Sequence, residues 1–253
     1  MFSQSSNRLV FRYDAETVWI EPWGKGLRIR ASKQNPMPSE SWALEMPVPP
    51  STSCTITISP TGDGATITNG NLKATLTSFG KLTVHNSGKL LLEEYTRNRR
   101  DVLDPTCSAL EIEAREFKAL PMGSPNYHLT YRLASLSRNE KIYGMGQYQQ
   151  PYLNLKGCDL ELAQRNSQAS VPFLVSSLGY GFLWNNPGIG RAVLGSNVMT
   201  FEALSTKLLD FWIVGGDEPK EIVEAYADVT GKVRLRLLFS FDNDISVTGK
   251  VCY

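Results

Sequence analysis

The chain has 253 residues, of which 42% are hydrophobic and 20% charged, so it can bury the core of one large domain or two modest ones. Its 26 Lys and Arg residues nearly cancel its 25 Asp and Glu residues, which leaves a formal net charge of +1. No overall field attracts nucleic acid or an anionic membrane, and neither partner is expected.

Targeting signals and cysteine spacing give the expected compartment. Residues 1–8 lack a basic segment followed by a long apolar run, and no later apolar run approaches the roughly 20 residues that span a bilayer. The cysteines, at 54, 107, 158 and 252, are too widely spaced for a Cys-x-x-Cys motif or a dense disulfide framework. We therefore expect a soluble, unsecreted, cytoplasmic protein with free thiols and neither metal nor cofactor.

Period-two alternation of apolar and polar residues predicts strands along the first 140 residues. In the first block we predict strands over 7–13, 17–21 and 27–31. A proline-rich stretch over 32–53 predicts an extended loop, with Trp42 and Leu44 pinning it to the protein surface.

Shorter alternating runs follow, separated by Gly, Asn and Asp residues typical of hairpin turns. We predict strands over 54–59, 65–68, 72–76, 81–85, 90–93, 110–117 and 127–133. Strands at this spacing indicate an antiparallel β-sandwich.

The region from 141 to 231 is the most informative. Two β-rich runs are predicted to form a hairpin around Gly179-Tyr180-Gly181, and Asn185-Asn186-Pro187 predicts a second turn. A helix is predicted from Asp217, as its cap, to Gly231, with Pro219 in its first turn. The large aromatic side chains of this region are predicted to be core: Phe182, Trp184, Phe211 and Trp212.

An ordered series of motifs in this region resembles glycoside hydrolase family 31, which includes α-glucosidases and α-xylosidases. The motifs, in chain order, are Glu140 to Gln147, Gln164-Arg165-Asn166, Val171-Pro172-Phe173, Gly179-Tyr180-Gly181, Asn185-Asn186-Pro187, Leu209-Asp210-Phe211-Trp212 and Gly215 to Gly231. The resemblance is close over about 90 residues and looser before them. It implies an all-β, galactose-mutarotase-like antiparallel β-sandwich with one α-helix near its carboxyl end.

The resemblance also implies a missing part. In complete family members this sandwich packs against a (β/α)8 catalytic barrel, whose two aspartates serve as nucleophile and acid/base. We expect residues 1–231 to be the family 31 amino-terminal domain and 232–253 to be an aberrant or truncated tail, because that tail lacks the Asp-bearing strand motif of the barrel. No catalytic residue is carried over.

The residues themselves nominate no catalytic pair either. Retaining hydrolysis needs two carboxyl groups about 5 Å apart, one ionised and one protonated. Asp159 and Glu161 fall on one face of an extended run and are interpreted as a solvated edge. His85 and His128 lie on different predicted strands and are not interpreted as an acid/base pair. Gly144-Met145-Gly146 lacks the third glycine and the helix of a nucleotide site, so this stretch is interpreted as a strand-end turn.

The candidate binding site is the polar and aromatic stretch over 147–168. Its side chains can stack on a sugar face or bond sugar hydroxyls, and in the family a loop of this domain reaches over the mouth of the barrel. By resemblance, the candidate substrate-binding residues are Gln147, Arg165 and Asn166. The alternative is that Arg165 and Asn166 only brace the loop or a domain interface.

Three functions stay open from the sequence. The chain is the inactive sandwich portion of a family 31 enzyme acting on α-glucosides or α-xylosides, a free-standing carbohydrate-binding module, or an aldose epimerase on the same fold. If the first holds, the surface that normally docks on a barrel is exposed, and we expect self-association through it.

Overall fold

Three antiparallel sheets and one helix make up the described part of the chain. The computed structural model describes residues 1–34, 36–45, 54–97, 112–121 and 123–232. The largest sheet has eight strands, in the spatial order β1 (Phe2–Ser5), β2 (Arg8–Tyr13), β3 (Glu16–Trp23), β4 (Gly26–Ser32), β18 (Leu209–Gly215), β15 (Tyr180–Trp184), β14 (Ala169–Ser176) and β12 (Ile142–Gln147).

Two five-stranded sheets pack on this large sheet. The second sheet has the order β10 (Arg115–Ala119), β11 (Tyr127–Ala134), β17 (Val198–Thr206), β16 (Gly190–Leu194) and β13 (Asp159–Leu162). The third has the order β5 (Cys54–Ile58), β6 (Gly64–Asn69), β7 (Leu72–Thr77), β8 (Leu82–Asn86) and β9 (Lys89–Glu93). The predicted all-β sandwich is therefore confirmed.

One continuous apolar core joins the three sheets. Strands β2, β3 and β4 contact β6 and β7 of the third sheet. At the other half of the large sheet, the ring of Phe182 lies 4.8 Å from that of Phe201 in the second sheet, and Phe211 lies 5.0 Å from Tyr131. Three aromatic residues predicted as core, Phe182, Trp184 and Phe211, are therefore buried between the sheets. The fourth, Trp212, is buried in a separate cluster with residues of the helix.

The outer face of the large sheet is covered by helix α1 (Pro219–Thr230). Ile222, Ala225 and Val229 form its buried face, as the helical period of the sequence indicates. A Cβ atom on Gly181 would lie 2.5 Å from Cγ2 of Ile222, so glycine in β15 makes room for the helix. The buried face of the helix and the side chains packed with it form a second, smaller core cluster. Its members are Trp23, Leu44, Phe173, Leu183, Trp212, Val214, Ile222, Ala225 and Val229.

Several local predictions are wrong at their boundaries. The predicted hairpin turn is displaced, because Tyr180 already pairs with Ser176 and the three-residue turn is 177–179. Asp217 is not the cap of α1. Glu218 holds the N-cap position, and Oε2 of Glu221 accepts hydrogen bonds from the backbone N–H groups of Asp217 (3.0 Å) and Glu218 (3.4 Å).

Other predictions are corrected in part. The run predicted as a strand over 110–117 contributes only an isolated bridge at Ile112 before β10 begins at Arg115, and residues 110 and 111 lie outside the described residues. Leu44 is buried as predicted, whereas Trp42 is 45% exposed. Cys54 and Cys158 are free thiols. Cys107, Cys252 and the predicted tail from 233 onward lie outside the described residues.

Candidate functional site

The structure brings the three predicted binding residues to one corner of the large sheet. Gln147 is the last residue of β12, and it pairs with Ala169, the first residue of the neighbouring strand β14. Arg165 and Asn166 lie in the turn that leads into β14, where the backbones of Arg165 and Gln168 bond to each other. All three predicted side chains are exposed.

A β-bulge in β12 lies immediately before Gln147. The three preceding residues have positive φ angles, +101° at Gly144, +66° at Met145 and +94° at Gly146, and the register with β14 shifts between the two glycines. Met145 is thereby completely buried. The Gly-x-Gly stretch is thus a bulge within a strand, which corrects the predicted strand-end turn.

Close packing explains both glycines. A Cβ atom on Gly144 would lie 2.6 Å from the carbonyl oxygen of Phe173. One on Gly146 would overlap the carbonyl oxygen of Ala169 and lie 2.7 Å from the backbone nitrogen of Val171. Only glycine combines these φ angles with this proximity of β14.

Beyond Gln147, residues 148–153 form a surface loop that we call the arch. Its first residue, Tyr148, is half-buried, and its hydroxyl lies 2.9 Å from Oγ of Ser170 and 3.0 Å from the carbonyl oxygen of Glu161. Burial raises the pKa of that hydroxyl. The tip of the arch is exposed, with Tyr152 at 64% and Leu153 at 80%.

The far end of the arch is fixed to the start of β12. The backbone N–H of Leu155 donates to the carbonyl oxygen of Ile142 (2.8 Å), and the N–H of Ile142 donates to Oδ1 of Asn154 (3.0 Å). This return segment satisfies the backbone of an edge strand that would otherwise face solvent. Both ends of the arch are therefore held, while its middle is presented to solvent.

Other polar side chains of the stretch over 147–168 hydrogen-bond to the protein itself. Gln164 bonds the backbone of Ser170 twice, through Nε2 to the carbonyl oxygen (2.8 Å) and through Oε1 from the N–H (3.1 Å). Asn154 and Tyr148 brace the arch. Exposed or half-exposed polar and aromatic groups of this corner remain accessible to a ligand: Gln147, Gln149, Gln150, Tyr152, Arg165 and Asn166.

A hollow of about 200 Å³ lies beside the arch, lined by its first residues together with β13 and Gln168. Its two carboxylates are both paired. Glu161 accepts from Nε (2.8 Å) and Nη2 (2.6 Å) of Arg165, and Asp159 accepts from Arg191. These hydrogen bonds lower the pKa values of both carboxyl groups.

The two carboxylates of the hollow do not form an acid/base pair. Since Asp159 and Glu161 are held ionised, neither is the protonated acid that glycoside hydrolysis requires. His85 lies in the third sheet and His128 in the second, so the two histidines are not in one strand layer. Across the described residues, no three His, Cys, Asp or Glu side chains are grouped as a metal site would require.

Sequence reasoning missed a buried ion pair close in sequence to β12 and the arch. Glu140, two residues before β12, and Lys156, three residues after the arch, pair with an N–O distance of 2.6 Å. In the sequence, Glu140 opens the motif that leads into β12, and Lys156 is a single lysine in a polar loop. Neither position carries a local pattern that indicates burial, because their partners come from distant strands.

No helix in the described residues is long and apolar enough to cross a membrane.

Comparison with known proteins agrees with this fold. Residues 20–190 match the glycosyl hydrolase 31 N-terminal galactose mutarotase-like domain. The chain is 45% identical over 238 residues to the uncharacterized family 31 glucosidase ORF2 of Pseudescherichia vulneris, covering 90% of this chain and 44% of that protein. It is 29% identical over 233 residues to α-xylosidase A of Aspergillus niger, covering 84% of this chain and 30% of that protein.

Among solved structures, the chain is similar to a GH31 α-xylosidase from a soil metagenome complexed with xylose. The two share 46% identity with a TM-score of 0.85, over 91% of this chain and 34% of that one. The chain thus spans less than half the length of the relatives it matches. With its sandwich, its helix and a match over residues 20–190, the chain belongs to the glycosyl hydrolase 31 N-terminal galactose mutarotase-like domain family.

Proposed function

We propose that this domain is the non-catalytic support of a family 31 α-glycosidase. We further propose that the arch, together with Gln147, Arg165 and Asn166, lines the rim of the substrate pocket. The observation that carries the proposal is the arch itself, an exposed polar and aromatic loop fixed at both ends beside Gln147. Hydrolysis belongs to a catalytic barrel of the complete enzyme, because the carboxylates of this corner are paired with arginines.

The proposed substrate class is an α-xyloside or α-glucoside. The relatives named as α-xylosidases and as a family 31 glucosidase support this class. In this role the amide of Gln147 and the side chains of Arg165 and Asn166 bond sugar hydroxyls, and the ring of Tyr152 stacks on a sugar face. The pairing of Arg165 with Glu161 leaves its side chain 59% exposed, so it can brace the turn and still meet a ligand.

A domain-exchange experiment tests the rim assignment. Residues 1–231 replace the equivalent domain of the soil-metagenome α-xylosidase, and Gln147→Ala, Arg165→Ala and Asn166→Ala are compared with the parent chimera. We expect KM for an α-xyloside to rise several-fold, since a lost hydrogen bond to a sugar costs about 0.5–1.5 kcal/mol. Lys73→Ala, an exposed change in β7 of the third sheet, serves as the control. Unchanged KM in all three variants would refute the rim assignment.

The 253-residue chain tests the non-catalytic assignment. We expect no release of 4-nitrophenol from its α-xyloside or α-glucoside. Hydrolysis that persists after repurification and after expression in a host without α-glycosidases would contradict the non-catalytic assignment.

A free-standing carbohydrate-binding module is the second candidate, favoured by the exposed Tyr152 among polar side chains. A glycan array distinguishes the two, because a module binds oligosaccharides without a barrel. The free thiols Cys54 and Cys158 support the further proposal of a reducing, cytoplasmic location.

A further inference from the structure

The buried Glu140–Lys156 pair joins the residue after β11, the segment before β12, the segment after the arch and the β14–β15 hairpin. Oε1 of Glu140 accepts hydrogen bonds from Oγ of Ser176 (2.6 Å) and from the hydroxyl of Tyr180 (2.8 Å). Its other oxygen, Oε2, accepts from Nζ of Lys156 (2.6 Å), which also donates to Oγ of Ser135 (2.7 Å). Ser176 and Tyr180 belong to the large sheet, and Ser135 directly follows β11 of the second sheet.

Solvent hardly reaches this network. The side chain of Glu140 is 1% exposed and that of Lys156 is 6% exposed. In such surroundings a charge without its partner is strongly unfavourable, so the lysine cannot leave the carboxylate without a large cost. Burial beside Glu140 also raises the pKa of Tyr180, which keeps its hydroxyl protonated as a donor.

Lys156 lies immediately after the arch's return segment. Its own N–H donates to Oδ1 of Asn154 (3.2 Å), the same oxygen that accepts from the N–H of Ile142. Fixing the ammonium group at Glu140 therefore fixes the return segment against β12. Because the Tyr148 hydroxyl is held at the other end, the arch is anchored on both sides of its exposed tip, Tyr152.

We propose that the Lys156–Glu140 pair is a clamp that positions the arch, and that Lys156 is a positioning residue for the side chains proposed to contact sugar. The inference rests on the proposed function for the identity of the ligand. The clamp itself is a property of the isolated chain and is tested without any sugar.

Limited digestion with chymotrypsin gives a test with an internal control. Tyr152 at the arch tip and Phe79 in the turn between β7 and β8 are both exposed, at 64% and 83%, and both are cleavage sites for this protease. Local release of the arch accelerates cleavage at Tyr152 alone, whereas global unfolding accelerates both. The variants are Lys156→Met, Glu140→Gln and the conservative Lys156→Arg, with the exposed Lys141→Met as the matched control.

We expect Lys156→Met to raise the cleavage rate at Tyr152 by about tenfold or more relative to Phe79, because it opens a local segment. Glu140→Gln should act in the same direction, Lys156→Arg should restore most of the protection, and Lys141→Met should change nothing. Amide order parameters of residues 149–153 should fall in the first two variants only.

Two outcomes would overturn the clamp: unchanged cleavage at Tyr152 in both Lys156→Met and Glu140→Gln, or a rise at Tyr152 matched by an equal rise at Phe79. Failure of the proposed function gives a different result. In that case the Gln147, Arg165 and Asn166 variants leave KM unchanged in the domain exchange, while the cleavage ratio still reports an intact clamp.

Discussion

Replacement of Gly146 by alanine tests the packing of the β-bulge that precedes Gln147. The residue has φ +94°, and a Cβ atom there would overlap the carbonyl oxygen of Ala169. The backbone conformation costs a non-glycine residue about 1–3 kcal/mol. The collision also forces β12 away from β14, and weakening one ladder hydrogen bond costs about 1 kcal/mol more.

The expected loss of unfolding free energy for Gly146→Ala is therefore about 2–4 kcal/mol, summed from those two effects. In a protein of this size each kcal/mol lowers Tm by about 2–4 °C. Urea unfolding monitored by tryptophan fluorescence measures the difference directly.

Gly88→Ala is the matched control, because Gly88 has a similar φ of +85° and nothing within 4 Å of an added Cβ. It should lose only the backbone part, about 1–3 kcal/mol, without the additional cost of the collision. If Gly146→Ala were no more destabilising than Gly88→Ala, the close approach of β14 would not be what requires glycine in β12, and the account of the bulge would be refuted.

Three further predictions concern the helix, a surface pair and association. Ile222→Ala should lower the unfolding free energy by about 2–5 kcal/mol, while its exposed neighbour Val223→Ala should change it by less than about 0.5 kcal/mol, both measured by urea titration. Arg191→Met should raise the pKa of Asp159 to its ordinary value of about 3.9 in an NMR titration. Because the folded pKa of Asp159 is depressed, the pair stabilises the fold above about pH 4, and this contribution is lost as pH falls through the folded pKa. An unchanged pKa in the variant would contradict the pairing. The isolated chain should elute from size exclusion as associating species at high concentration, and a clean monomer there would count against an exposed docking surface.

The local sequence predicted the strands of the third sheet well. Most of them alternate apolar and polar residues with period two and are bounded by their own turn residues. Strands β6 and β7, for example, alternate buried positions with more accessible ones on either side of the Asn69-Gly70 turn. The predictions at 179–181 and at Asp217 failed by one or two residues, since hairpin register and the N-cap position depend on packing of neighbouring elements.

The candidate site divides in the same way. Gln147, Arg165 and Asn166 were found through the resemblance, and the structure places them at one corner because β12 and β14 are neighbours. Their common location follows from strand pairing, which composition does not reveal. The roles of Gln164 and Asn154 as braces depend on hydrogen bonds that only the folded chain defines.

By itself, the sequence determined the fold class, the aromatic core and the family, because periodicity and ordered motifs are local properties of the chain. Only the tertiary structure decided which polar groups are buried and which face solvent. Lys156 shows the reason: its ammonium group bonds a carboxylate 16 residues away and the hydroxyl of Ser135, which follows a strand of the second sheet, and no local pattern encodes that meeting.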